Sequence, residues 1–72
     1  MKKYARINII LRKDYDPDEV RGVVDSFSDY AELNELMRMA SFYGEAEKGQ
    51  EFVRAIEAVE PISSVTMRTY NY

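Results

Sequence analysis

The 72-residue chain has no cysteine, no histidine and no tryptophan, only two prolines and three glycines, and no carboxylate in its first thirteen or last twelve residues. Each absence excludes something. Without cysteine there is no disulfide staple, which fits a reducing compartment. Without cysteine and histidine the usual zinc ligands, the thiol nucleophiles and the commonest general base are missing. Gly22, Gly44 and Gly49 do not have the spacing of a P-loop or a dinucleotide fingerprint. The longest apolar run is Ile9 to Leu11, too short for a membrane-spanning helix, and Met1 to Arg12 lacks the apolar centre of a signal peptide. The expected location is the cytoplasm. An enzyme of this composition is left with carboxylates, hydroxyls, Lys and Arg, so a non-enzymatic domain without cofactor or metal is expected.

The missing terminal carboxylates define a charge pattern. Lys2, Lys3, Arg6, Arg12, Lys13 and Arg68 give the two ends a charge of +6, whereas residues 14–60 set thirteen acids against Arg21, Arg38, Lys48 and Arg54, leaving the chain at −3. Such segregation predicts that the ends form one surface and the middle another. An apolar content of 46% with 32% charged residues is ordinary for one folded domain. A chain this short buries only about 60% of its unfolded surface, and a core of that size supplies about 3 to 5 kcal/mol. Regular packing or self-association therefore has to contribute.

Tyr4 to Arg12 alternates, with Ala5, Ile7, Ile9 and Leu11 on one face and Tyr4, Arg6, Asn8, Ile10 and Arg12 on the other. That is a half-buried strand. Asp16, Pro17, Asp18 and Glu19 form a helix start: Asp16 is the cap, Pro17 suits the first helical position and Glu19 completes a capping box. Val20, Val23, Val24, Phe27 and Ala31 continue that helix as an apolar stripe. Residues 30–47 carry both periods. Ala31, Leu33, Leu36, Met37 and Ala40 favour helix, whereas Met39, Ser41 and Tyr43 alternate with Arg38, Ala40 and Phe42. The reading is a helix to about Leu36 and a strand from about Met37 to Ala46. Gly49 to Glu60 is a second amphipathic helix, with Phe52, Val53, Ile56 and Val59 on one face and Pro61 as its stop. Ser64 to Tyr72 is the closing strand, with Val65 and Met67 pointing one way and Thr66, Arg68, Tyr70 and Tyr72 the other.

Assembled, these elements give an α+β domain, residues 1–72, in which two amphipathic helices cover one face of a small sheet. In element order it resembles a trimmed ferredoxin-like fold. The resemblance covers the outer elements, includes no functional motif and implies no activity. The alternative is three helices on a two-stranded sheet, which two strands alone support poorly.

Two clusters invite a functional reading. Asp14, Asp16, Asp18 and Asp25 echo the spacing of a calcium loop, but Glu19 stands where that loop needs glycine and Pro17 interrupts it. An acid-rich helix start, favoured by the helix dipole, explains them better. The second cluster is the sheet face opposite the helices, where the candidate binding residues are Tyr4, Arg6, Ile10, Arg12, Arg68, Tyr70 and Tyr72. Tyrosine and arginine around an apolar centre suit a protein partner or a second copy of the chain in a homodimer. The same residues suit single-stranded RNA, by stacking and phosphate neutralisation. A third possibility is a designed domain with no biochemical role, consistent with the regular Asp-Pro-Asp-Glu start.

Overall fold

The computed structural model describes residues 2–71, the side chain of Ser28 apart. The alternation after Lys2 produces strand β1, Lys3–Leu11, in which Ala5, Ile7, Ile9 and Leu11 are buried. Helix α1, Pro17–Ser26, begins where the cap signal places it: the Asp16 carboxylate accepts the Asp18 N–H at 3.0 Å, with Pro17 in the first turn. The reciprocal half of the capping box is made differently. The Asp16 N–H donates to Glu60 Oε1 at 2.8 Å, so the residue closing this helix start comes from the far end of the second helix rather than from Glu19.

Beyond Ser26 the structure departs from the sequence expectation. A short 3₁₀ turn, Ser28–Tyr30, leads into a strand, β2, Ala31–Asn34, where the pattern predicted continued helix. β2 pairs antiparallel with β3, Met39–Glu45, with Leu33 opposite Ala40 and Ala31 opposite Phe42. The sheet thus has four strands, which overturns both the three-strand reading and the alternative of three helices on two strands. Helix formers in residues 31–36 are outweighed by the ladder to β3 and by partial burial of Ala31 and Leu33. Leu36, which would extend the expected helical stripe, is 95% exposed at the tip of the hairpin.

That hairpin turn is held by side-chain and backbone bonds. Met37 N–H donates to Asn34 Oδ1 at 3.1 Å, and Arg38 N–H to the Glu35 carbonyl at 3.2 Å. Arg38 closes it in the left-handed region, with φ of 52°, and its carbonyl accepts the Leu11 N–H at 2.8 Å. A side chain in that region carries a steric cost that glycine avoids, partly offset by glycine's greater freedom in the unfolded chain. Arg38→Gly should therefore stabilise the domain by about 0.5 to 1 kcal/mol, read as a rise of a few degrees in melting temperature, whereas Arg38→Ala should not.

Helix α2 runs Ala46–Val59, three residues earlier than the pattern predicted, and places Gly49 inside the helix. β4, Ile62–Asn71, closes the chain along β1. The sheet order is β2-β3-β1-β4, every neighbouring pair antiparallel, with the core on the side where both helices pack. Its centre is aromatic: Phe42 and Phe52 stack at 5.5 Å between ring centroids, and Phe27 meets Phe52 edge-on at 5.2 Å. Ile7, Ile9, Leu11, Val20 and Ile56 complete it.

Candidate functional site

Register decides which side chains meet on the face away from the helices. β1 is a central strand, and its outward residues are flanked on both sides. Tyr4 lies opposite Tyr70 and Glu45; Arg6 lies opposite Arg68 and Tyr43; Asn8 lies opposite Thr66 and Ser41. Ile10, half-buried, lies opposite Ser64 and Met39. The two chain ends are therefore neighbouring strands, as the charge pattern implied.

Four of the seven candidate binding residues, Tyr4, Arg6, Arg68 and Tyr70, form two adjacent cross-strand rungs. Ile10 sits on the same strand two residues beyond Asn8. Arg12 follows the last residue of β1 and lies outside the ladder. Tyr72 lies outside the described residues. Sequence reasoning missed Tyr43, which β3 delivers beside Arg6 with the guanidinium carbon 5.2 Å from the ring centroid, within cation–π range. The alternation of Met39, Ser41 and Tyr43 carried that signal, but only the pairing of β3 with β1 puts Tyr43 on this face.

The face is not uniformly basic. Arg6 and Asn8 stand on a ridge between two hollows. The hollow over β1 and β4, of about 230 Å³, is lined by Arg6, Asn8, Thr66, Arg68 and Tyr70. The hollow over β2 and β3, of about 450 Å³, includes Asp29 and Glu32 together with Met39, Ser41 and Tyr43. Ser41 donates to Asn8 Oδ1 at 2.9 Å, joining the strands between them. Glu45, at the end of the β3 row, is 3.7 Å from Lys2. Arg68 thus lies over the β1–β4 half, Arg6 is shared between the two hollows, and the carboxylates of Asp29 and Glu32 lie over the β2–β3 half.

Directly opposed like charges destabilise a ladder, and Arg6 and Arg68 are such a pair. Neither has a carboxylate partner among the described residues. No polar or charged side chain is buried among the described residues. The acid-rich helix start is used structurally: Asp16 caps α1, and Asp18 lies 3.6 Å from Arg21, whose guanidinium also bonds Glu35. Among the described residues no group of three or more acids converges as a metal-ligand set, and no helix is long and apolar enough to cross a membrane. Comparison of the chain with protein-family models, curated proteins and solved structures finds no match.

Proposed function

We propose that this chain is a non-enzymatic binding domain whose β1–β4 half-face docks an acidic segment of a protein partner. The order strand, helix, strand, strand, helix, strand with sheet order β2-β3-β1-β4 is read as ferredoxin-like, which leaves one sheet face free for such a role. The observation that carries the reading is the Arg6–Arg68 rung, two arginines at directly opposed positions with no carboxylate partner among the described residues, bordered by Tyr4, Tyr70 and Tyr43. A carboxylate laid across that rung relieves the mutual repulsion and gains charge-assisted hydrogen bonds. The tyrosine rings add rigid apolar area at low entropic cost. The acidic half formed around Asp29 and Glu32 repels the same ligand and so fixes where it lies.

The test is a titration of the chain with a short oligoglutamate peptide and, separately, with oligouridine, each at low and high salt. Peptide binding that weakens with salt is expected, and Arg6→Glu with Arg68→Glu should reduce it at least tenfold, about 1.4 kcal/mol. Both side chains are exposed, so the double variant should keep its circular dichroism and cooperative melt. Binding of oligouridine alone, with a steep salt dependence from counterion release, would replace the protein reading by RNA binding on the tyrosine platform. Binding of neither ligand would remove the proposal.

A further inference from the structure

β4 is the least protected strand of the sheet. It is ten residues long, occupies an edge of the sheet, and is exposed at every position after Ile62. An edge of that length presents a row of unpaired N–H and C=O groups, which proteins usually blunt with lysine, proline, a bulge, shortness or a covering element. From Ser64 to Asn71 the sequence has no lysine and no proline. The one irregularity in its ladder to β1 lies at Ile10/Leu11, at the strand's start. The opposite edge, β2, has only four residues, Ala31–Asn34, and carries Glu32. Helix α2 packs over β1 and β3 and only grazes β4, which leaves Val65 and Met67, both on the helix side, 43% and 41% exposed. The sequence pattern placed these two residues toward the helices correctly but not their lack of cover.

From this we infer that β4 pairs antiparallel with β4 of a second copy, centred on Thr66, joining the two sheets into one of eight strands. The strand is self-complementary in that register. Met67 lies opposite Val65 of the second copy, so four apolar side chains close over one another on the helix side. On the open side Thr66 meets its own copy, a favourable cross-strand pair, and Arg68 meets Ser64. The only charges along the strand, the two Arg68 groups, stand four residues apart along the ladder, about 13 Å, beyond the Debye length at physiological salt. Moving the centre to Arg68 would oppose the two guanidinium groups, and moving it to Met67 would set Val65 against Thr69. A second copy fits this edge better than a charged partner, because β4 carries a single ionisable charge and its uncovered side chains are apolar.

The pairing does not depend on what the open face binds, but it changes the shape of that face. The two β1–β4 halves become the centre of a continuous surface bearing Arg6 and Arg68 twice, with the acidic β2–β3 halves at its outer ends. An acidic segment then crosses the two-fold axis and meets four guanidinium groups.

Light scattering of the unmodified chain at concentrations up to about 1 mM should show twice the 8.4 kDa protomer mass. The chain has no cysteine, so Thr66→Cys supplies a single thiol and should cross-link readily to a disulfide dimer under mild oxidation. Thr69→Cys, whose copies lie about 20 Å apart in this register, should not. Val65→Lys with Met67→Lys should be a folded monomer, and so should Val65→Glu with Met67→Glu. Mixing the two should restore dimer mass. A wild-type chain that stays at protomer mass, a Lys variant that still dimerises, or equal cross-linking at positions 66 and 69 would each overturn the inference. Arg6→Glu should leave the dimer intact whatever it does to ligand binding, so failure of the face and failure of the edge are separately visible.

Discussion

Phe52→Ala should leave the chain largely unfolded at 25 °C. Phe52 is fully buried and is the ring around which the core is built: it stacks on Phe42 from β3 and takes the edge of Phe27 from the residue capping α1. Removing it takes away the transfer free energy of the ring and leaves a cavity that three different elements would have to move to fill. Such truncations cost about 3 to 5 kcal/mol, which matches the whole stability that a core of this size supplies. Phe52→Leu keeps most of the volume and should remain folded with a melting temperature lowered by several degrees. Circular dichroism and a thermal melt separate the two variants. A cooperative melt of Phe52→Ala near the wild-type temperature would mean that the aromatic cluster is not the centre of stability. Both measurements belong at one fixed protein concentration, since pairing through β4 would raise apparent stability by mass action.

Gly49→Leu should cost about 3 kcal/mol by overpacking, although helix propensity alone predicts the opposite sign. Glycine in a helix interior is about 1 kcal/mol worse than alanine, so a substitution at Gly49 looks like an improvement on the sequence. The structure reverses that expectation. A Cβ at Gly49 would lie 2.7 Å from Ile7 Cδ1 and 3.2 Å from Phe42 Cε1. Ile7 and Phe42 are themselves buried, so neither can retreat freely. Gly49 is what lets α2 settle onto β1 and β3, and a leucine there would lever the helix off the sheet. Gly22 is the internal comparison. It lies on the exposed side of α1, where a Cβ would meet nothing within 4 Å. Gly22→Ala should therefore stabilise the domain by about 1 kcal/mol. Urea unfolding of the two variants beside the wild type measures both signs in one experiment. A Gly49→Leu domain as stable as the wild type would show that the helix does not approach the sheet so closely.

The same glycine explains one misplacement of an element boundary. Three residues from Ala46 to Lys48 precede it in α2, but a glycine reads naturally as a helix border, which is why the pattern starts that helix at residue 49. The missed strand has a different origin. Ala31, Glu32, Leu33 and Glu35 are good helix formers, and a four-residue strand offers only two turns of alternation, too few for period two to compete with period 3.6. The candidate face was half legible. Tyr4 and Arg6 could be placed with Tyr70 and Arg68 because both strands alternate clearly. Tyr43 and the acidic border at Glu32 could not, because their positions depend on which strands are neighbours.

By itself the sequence determined the alternating terminal strands, the cap at Asp16, the two amphipathic helices, the buried faces and the segregation of charge to the ends. These follow from interactions among residues close along the chain: capping bonds, backbone sterics and the periods of helix and strand. Only the tertiary structure decided that residues 31–34 form a strand, that Arg6 and Arg68 share a rung beside Tyr43, that Gly49 is a contact point, and that β4 is left as a long bare edge. Each of these depends on what lies across a ladder or beneath a helix. There, hydrogen bonding and burial contributed by residues distant in the chain outweigh differences in local propensity of a few tenths of a kcal/mol per residue.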